Sequence, residues 1–212
     1  MKLQRYQDQL SVWPKTGRHI MAQFDAQSIY VYQAYRPSIA RFAVEHQHFG
    51  GDFSFSRMSW IKPNFLWMMY RSGWAEKEGQ EHIIAVRLKR IFFDELLRDV
   101  VPSSFDPQRF TSREEWTTAV ASSEVRLQWD PDHDPAGRPI ERRAVQLGLR
   151  GSALRKYGEQ DLISIEDITP FVAEQRRHAI SDFVNLCTPE ERIYHPADSA
   201  AAALAGIETT LA

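Results

Sequence analysis

The sequence contains a single cysteine, Cys187, and has neither a long apolar run nor an excess of one sign of charge. One cysteine excludes an intramolecular disulfide and is compatible with a reducing compartment. Residues 1–20 lack the apolar stretch of a signal peptide, and no uninterrupted apolar run approaches the roughly 20 residues that span a bilayer. Together these absences predict a cytoplasmic protein with no membrane partner.

Positive and negative charges nearly cancel, with 26 Lys and Arg against 28 Asp and Glu and a formal net charge of −2. A bulk attraction to nucleic acid is therefore not expected, and any anion site must be local. The chain has 212 residues, of which 43% are apolar, so it can bury a sizeable core.

Common catalytic and metal-binding signatures are also missing. The sequence has no G-x-G-x-x-G, no Walker loop and no G-x-S-x-G. His46 and His48 are the only close pair of histidines, and their spacing near a helix end is poor for one metal, so no metal site is predicted. Cys187 has no motif around it, which favours an inert thiol over a nucleophile.

One loop needs a separate test as a calcium site. Pro135 stands where the calcium-loop template needs a glycine for its tight turn, and the flanks resemble strands rather than helices. A charged loop is the simpler interpretation. The acidic residues with template spacing are Asp130, Asp132, Asp134 and Glu141.

Strand-like and helix-like stretches alternate along the chain. Residues 29–35 are β-branched and aromatic and predict a strand that leads into a helix from Pro37 to about His46. Residues 82–88 predict an interior strand, followed by an amphipathic helix in 91–101. Ser112, three residues before Glu115, predicts a capped helix start.

Two stretches with period-two alternation, 124–130 and 143–149, predict half-buried strands of an antiparallel hairpin. Residues 131–142 between them are dense in Pro, Gly and Asp and predict a long loop. Since no glycine-rich strand-to-helix turn appears, we predict an α+β fold rather than a doubly wound parallel sheet. The expected architecture is a mixed or antiparallel sheet with this long-loop hairpin and several packed helices.

The chain is predicted to hold one domain, because it shows no internal repeat and no linker rich in Gly or Ser. Residues 23–196 would form this α+β domain, after a poorly ordered N-terminal segment at 1–22. The Ala-rich tail at 197–212 is compatible with a frayed helix, a docked helix or disorder. The sequence does not predict an oligomeric state.

The strongest functional signal is a block at residues 56–74, SRMSWIKPNFLWMMYRSGW, in which cations lie among aromatic residues. Guanidinium groups bind phosphate bidentately and aromatic rings stack on bases, so the block is typical of a site for a phosphate and a base. The alternative is a buried Trp- and Met-rich helix whose last carbonyls are satisfied by a terminal arginine.

Pro63 and Gly73 bracket a short, largely buried helix within this block. On that helix Trp67 and Arg71 would lie one turn apart on a common face. Lys62 would sit at the mouth of the helix N-terminus, where anions are favoured.

Polar residues of the hairpin are the second part of the predicted site. If its non-core face lines a cleft, these residues would contact a sugar, an amide or a base; otherwise the face is solvated. The full set of predicted substrate- or phosphate-binding residues is Arg57, Lys62, Trp67, Tyr70, Arg71, Gln128, Asp130, Arg142 and Gln146.

These stretches resemble the family called domain of unknown function 4291 (DUF4291), from about Ala22 to Pro196. The resemblance implies no particular reaction and no catalytic residue. The residues that carry it are VYQAYRPSIA, RMSWIKPNFLWMMYRSGWA, VRLQWDPDHD and RRAVQLGLRGSAL.

A weaker likeness is to ADP-ribosyltransferase-type folds, which are compact α+β domains with split antiparallel sheets. This likeness implies that Arg71 or Arg57 grips NAD. It also implies that Glu166 or Glu141 polarises the ribose.

Three hypotheses follow. The first is an enzyme, such as a nucleotide-dependent transferase, that acts on a nucleotide or nucleic acid and uses NAD or another nucleotide. The second is a non-catalytic nucleic-acid-binding module, and the third is a protein-interaction domain in which the Trp-rich helix is core. Convergence of Lys62, Arg71, Gln128 and Gln146 on one pocket would favour the enzyme.

Overall fold

A three-stranded sheet and a four-stranded sheet form the framework of the structure, a computed structural model that describes residues 1–208. The first sheet is antiparallel, whereas one edge strand of the second runs parallel to its neighbour. In chain order the strands of the described residues are β1 (Leu3–Arg5), β2 (Ile20–Ala22), β3 (Ser28–Tyr35), β4 (Ser59–Ile61), β5 (His82–Lys89), β6 (Val100–Pro102), β7 (Val125–His133), β8 (Pro139–Leu149), β9 (Leu162–Asp167), β10 (Cys187–Pro189) and β11 (Arg192–Tyr194).

Short helices connect these strands and cover the sheets. In the same numbering they are α1 (Tyr6–Leu10), α2 (Pro37–His46), α3 (Phe65–Ser72), α4 (Arg90–Arg98), α5 (Arg113–Ser122), α6 (Gly151–Arg155), α7 (Thr169–Arg176) and α8 (Ser199–Ala205). A π-helical turn, Lys156–Gln160, continues α6.

The central strand of the three-stranded sheet, β5, is buried on both faces, since the order of this sheet is β3-β5-β9. Ile84 faces the main core, which it shares with Leu147 of β8. Ile83, its neighbour, faces a second cluster that includes Phe65 of α3. The alternation of a strand therefore distributes one apolar run between two cores.

The two larger sheets meet at the end of β4. That strand pairs with β8 in the four-stranded sheet, whose order is β4-β8-β7-β6. Directly after it, the carbonyl of Lys62 accepts a hydrogen bond of 2.7 Å from the backbone N–H of Tyr32 in β3. Lys62 therefore lies at the junction between the two sheets.

The α+β prediction is confirmed, and so are the elements with strong local signals. The strand at 29–35 is β3, and the helix after it begins at Pro37 and ends at His46. Residues 82–89 form β5 and lead into α4. The hydroxyl of Ser112 accepts from the N–H of Glu115 at the start of α5.

The short helix of the Trp-rich block is present, but it begins later than predicted. Asn64, not Pro63, is the N-cap, because its side-chain oxygen accepts a hydrogen bond of 2.7 Å from the N–H of Trp67. The helix ends at Gly73, whose φ of 58° is left-handed.

The predicted hairpin is formed by β7 and β8, and its strands extend into the segment assigned to a loop. The pairing has an irregularity between Pro131 and Asp132, after which β7 and β8 continue to pair as far as His133 and Pro139. The connection between the strands is therefore only residues 134–138. The carboxylate of Asp134 closes this turn by accepting from the backbone N–H and Nε of Arg138.

Both ends of the chain pack on the domain as far as the structure describes them. Within residues 1–22, for which the sequence predicted poor order, β1 pairs with β10 and β2 pairs with β11. Tyr6 and Trp13 are buried there. The Ala-rich tail contains the docked helix α8, with Ala201 and Ala205 in the main core. Residues 209–212 of the predicted tail lie outside the described residues.

Candidate anion-binding site

Lys62 is the most unusual polar residue of the Trp-rich block, because its side chain is buried with almost no compensation. Only 6% of its surface is exposed. Its Nζ makes one long contact, 3.5 Å to the carbonyl of Trp60, and no ion pair within residues 1–208. A buried ammonium without a paired anion is costly, so this position calls for a charged ligand or for loss of the proton.

Burial has the expected effect on the acidity of this lysine. Desolvation lowers the pKa of Lys62 from its ordinary 10.5 to about 8, and the positive charge of Arg71 lowers it further, whereas Asp130 acts in the opposite direction. Near neutral pH the side chain therefore exists in both protonation states. Such a lysine can bind an anion when it is protonated and accept a proton when it is neutral.

Lys62 and Arg71 line the same cavity, but Gln128 and Gln146, which would have completed the predicted convergence, do not border it. This cavity has a volume of about 160 Å³ and also includes Trp60 and Met68 in its wall. Met68 and Arg71 lie three residues apart on α3 and present one helix face to it. The guanidinium of Arg71 forms no ion pair with a described residue.

A second cavity of about 360 Å³ adjoins the first and brings in Arg57. The two cavities share Tyr35, Met58 and Ser59 as walls. Arg57, like Arg71, is without a carboxylate partner in the described part of the chain. We call the two cavities together the Lys62 cleft.

Asp130 supplies the negative charge that acts on Lys62, and its position is fixed by two amides. Gln128 donates to Oδ1 and Gln146 donates to Oδ2, each at 2.7 Å. Both glutamines lie opposite each other on β7 and β8. Trp60 pairs with Gly148 on the neighbouring edge of β8, so it lies on the same side of this sheet as Gln146.

A hydrogen-bond network that the sequence did not reveal forms another wall of the Lys62 cleft. Gln33 donates to the hydroxyl of Ser59 at 2.8 Å and to the carbonyl of Trp60 at 3.1 Å. Tyr157 donates to the oxygen of Gln33 at 2.5 Å, and Tyr35 bonds to Ser59 at 2.9 Å. One signal was available in the sequence: Gln33 interrupts an otherwise apolar and aromatic strand.

Trp67 and Tyr70 do not line the Lys62 cleft, although the sequence predicted that they stack on a base. They stack instead on each other and on His133, with the ring centroids of Tyr70 and His133 only 3.5 Å apart. Trp67 is 5% exposed and belongs to the packing between α3 and β7. Among the described residues, the aromatic side chains that border the Lys62 cleft are Trp60, Tyr35 and Phe53.

Arg142 is also placed differently from the prediction. Its guanidinium donates to Oδ2 of Asp132 at 2.6 Å and 2.8 Å and lies 5.0 Å from the ring centroid of Trp13. The irregularity of the hairpin removes Arg142 from the alternation that sets Gln146 toward Asp130. Arg142 therefore holds the N-terminal segment rather than a ligand.

The acidic residues suggested by the ADP-ribosyltransferase likeness lie away from the Lys62 cleft. Glu166 is near the N-terminal ammonium, at 3.8 Å, and accepts from the hydroxyl of Tyr30 at 3.5 Å. Glu141 is exposed on β8. Neither residue borders the cavities that contain Lys62, Arg71 and Arg57.

Residues 1–208 contain neither a cluster of metal-ligating side chains nor a helix that could span a membrane. No group of three His, Cys, Asp or Glu residues is arranged to hold a metal ion. No helix in this range has the length and apolar character needed to cross a membrane.

The fold and the Lys62 cleft together define an α+β domain with a buried lysine between two sheets. The chain belongs to the DUF4291 family, since the family model "Domain of unknown function (DUF4291)" matches residues 19–194. This match confirms the resemblance seen in the sequence. No match is found among the curated proteins.

Proposed function

We propose that this protein is an enzyme that acts on a nucleotide and holds its phosphate groups in the Lys62 cleft. The observation that carries the proposal is the burial of Lys62 next to Arg71, with no carboxylate among residues 1–208 paired with either. Two neighbouring cations destabilise each other unless an anion lies between them. A phosphate group would supply that anion and accept hydrogen bonds from both.

The shape of the Lys62 cleft supports a ligand larger than a single phosphate. Its two cavities, of about 160 and 360 Å³, together fall in the range of roughly 300–1,000 Å³ that is common for small-molecule sites. Arg57 would extend the cationic lining to a second phosphate. Trp60 and Tyr35 offer aromatic surfaces for a base or a ribose.

Catalysis, rather than binding alone, is supported by the acidity of Lys62. With a pKa of about 8, a substantial fraction of the amine is neutral at physiological pH and can act as a base or a nucleophile. The class of reaction we propose is group transfer from a nucleotide such as NAD or ATP. The formal net charge of −2 disfavours a nucleic-acid-binding module as the alternative.

Thermal unfolding with and without nucleotides tests the proposal. NAD, ATP or a related nucleotide should raise the melting temperature of the wild type, and Arg71→Gln should remove most of that shift. Arg71 is exposed and forms no ion pair with a residue that the structure describes, so this substitution should leave the fold intact. Arg41→Gln, on the exposed side of α2, is the matched control for loss of one positive charge.

A wild-type melting temperature that no nucleotide changes would overturn the proposal. Equal shifts for wild type and Arg71→Gln would place nucleotide binding elsewhere. Stabilisation by nucleotides with no turnover of any of them would reduce the function to binding.

A further inference from the structure

A larger cavity, of about 840 Å³, is lined in part by residues 127–129 of β7. Residues of β7 alternate between faces, so Trp129 points away from the side on which Asp130 meets Gln146. Trp129 and Arg143, from β8, both border this cavity. The other walls come from residues 102–109 and from the end of α8.

Three arginines border this cavity, and two of them are backbone neighbours. Arg18 and Arg143 form a parallel β-bridge, and the N–H of Arg143 donates to the carbonyl of Gly17 at 2.8 Å. Side chains of bridge partners lie side by side, and like charges at that spacing repel. Neither arginine has an ion pair within the described residues. An anion bound by both would offset the repulsion between their charges.

The third arginine is held in place by the backbone. Arg109 donates to the carbonyl of Leu204 at 2.6 Å and to that of Val100 at 3.4 Å. Its guanidinium is thereby fixed at the rim without a carboxylate partner among residues 1–208. The one acidic residue that borders the cavity, Asp106, already accepts a hydrogen bond of 2.9 Å from the N–H of Gln108.

The remaining lining suits an organic phosphate. Trp129 is half-buried in the wall, and its indole N–H donates to the carbonyl of Ala205 at 2.8 Å, which fixes the plane of the ring. Ser103 and Ser104 add small polar groups beside it. Arginines supply bidentate donors for phosphate, and a fixed indole supplies a flat apolar surface.

We propose that this cavity is a second ligand site, which binds a phosphate-bearing small molecule through Arg18, Arg143 and Arg109. It is separate from the Lys62 cleft, because the lining residues of the two do not overlap. The proposal does not depend on the function assigned to that cleft.

Calorimetric titration of the full chain with pyrophosphate tests the second site. The double variant Lys62→Met/Arg71→Gln removes the two neighbouring cations on which the proposed nucleotide site depends and should still bind one equivalent of pyrophosphate. Adding Arg18→Gln or Arg143→Gln should weaken that binding by about tenfold or more, because each removes charged hydrogen bonds. Arg177→Gln, an exposed arginine at the end of α7, is the control and should have no effect.

Arg18 is exposed, so Arg18→Gln provides a folded variant even if Arg143→Gln is unstable. No saturable binding to the double variant would overturn the proposal, as would binding that neither Arg18→Gln nor Arg143→Gln weakens. Failure of the proposed function gives a different result from failure of the second site. In that case nucleotide binding would be unchanged by Arg71→Gln alone. A parallel titration with ADP identifies the source of the phosphate: tighter binding of ADP than of pyrophosphate indicates an organic phosphate, and the reverse indicates a free inorganic anion.

Discussion

Gln128 and Gln146 face each other across β7 and β8, and each donates its side-chain amide to a different oxygen of Asp130 at 2.7 Å. Neutral donors therefore hold the carboxylate whose charge acts on Lys62. The ammonium of Lys62 forms no ion pair with Asp130. An arrangement that keeps a buried lysine and a carboxylate close but unpaired leaves the lysine available to a ligand.

Replacement of this lysine should make the unliganded protein more stable. The pKa of Lys62 is about 8 in the folded chain against an ordinary 10.5, so a protonated Lys62 opposes folding by roughly 3 kcal/mol at most. Lys62→Met has a similar shape and no charge. Urea unfolding at pH 7 should show a higher free energy of unfolding for this variant.

The gain from Lys62→Met should also depend on pH. Between about pH 8 and 10.5 the unfolded chain binds more protons at this lysine than the folded chain, so wild-type stability rises with pH there and the gain shrinks. Lys15→Met, an exposed lysine, should change the stability by less than about 0.5 kcal/mol at any pH. If Lys62→Met were less stable than the wild type at pH 7, burial of the protonated lysine would not be what opposes folding.

Nucleotide affinity should fall as the pH rises through the pKa of Lys62. Binding of an anion favours the protonated amine, so affinity is highest below about pH 8 and decreases above it as the proton is lost. We expect a loss of about tenfold by pH 9.5, the usual scale for one charged hydrogen bond. Titration of ADP from about pH 7 upward avoids the second phosphate ionisation, which lies near pH 6.

The control for this pH profile is Lys62→Met, in which the affinity should be weaker and independent of pH over the same range. A wild-type profile that is equally flat would mean that Lys62 does not contact the phosphate. Each titration should be done in the Arg18→Gln background, so that binding at the second site is weakened and the Lys62 cleft dominates.

Local signals were sufficient to predict much of the fold. Pro37 at a helix start and Ser112 at a helix cap act within one turn of the chain, and both helices are present where they were expected. Lys62 and Arg71 border one cavity because both lie at the edges of one short helix, whereas Gln128 and Gln146, predicted for the same site, do not border it. Such predictions need no knowledge of distant contacts.

Residues whose partners are distant in sequence were not predictable in the same way. Tyr157 bonds to Gln33 across 124 positions, so neither residue carries a local signal of that contact. Trp67 and Tyr70 were predicted to bind the substrate, but both stack on His133 instead. His133 reaches α3 because β7 extends through a segment that resembled a loop. Tertiary packing decided which side of the helix meets the cleft.

Arg142 should prove structural when it is replaced. It forms a buried ion pair with Asp132, at 2.6 Å, and donates to the carbonyl of Pro14 at 3.0 Å. Arg142→Met leaves the buried carboxylate without its partner, and we expect a loss of roughly 3–5 kcal/mol in the free energy of unfolding. Asp132→Asn in the same background should recover part of that loss.

If Arg142 instead contacted a ligand, Arg142→Met would weaken nucleotide binding without a large change in stability. Urea unfolding of both single variants and the double variant separates these outcomes as a double-mutant cycle. Arg138→Met, which breaks an exposed pair with Asp134, is the control and should cost less than about 1 kcal/mol.

Glu191 anchors the start of α3 and should be sensitive to loss of one oxygen acceptor. Its carboxyl group, 4% exposed, accepts from the N–H of Phe65 at 2.6 Å and from the amide of Asn64 at 3.0 Å. In Glu191→Gln one oxygen becomes an amide nitrogen, which cannot accept from Asn64. Asn64 cannot reverse its own amide without losing its bond to Trp67, so at about pH 4.5, where the raised pKa of Glu191 adds no ionisation cost, we expect a loss of roughly 1–3 kcal/mol in unfolding experiments.

The pH dependence of this effect has a definite sign. Burial raises the pKa of Glu191 well above its ordinary 4.5, so the folded chain retains its proton over a range in which the unfolded chain has lost it. The contribution of Glu191 to the free energy of unfolding of the wild type therefore decreases as the pH rises above about 4.5. Glu191→Gln should lack that decrease. Glu190→Gln, which alters an exposed pair with Lys2, should keep the wild-type profile.

Gly148 should be required for the shape of the Lys62 cleft, since Trp60 packs directly on it. A Cβ at this position would lie 2.7 Å from Sδ of Met58 and 3.0 Å from the indole of Trp60. Both neighbours border the cleft, so Gly148→Ala should displace them and weaken nucleotide binding more than it weakens the fold. Gly50→Ala is the matched control, because its Cβ would lie 2.6 Å from Cε1 of Phe42 and neither residue borders the cleft, so it should leave affinity unchanged. Equal affinities for wild type and Gly148→Ala would show that Trp60 does not shape the binding site.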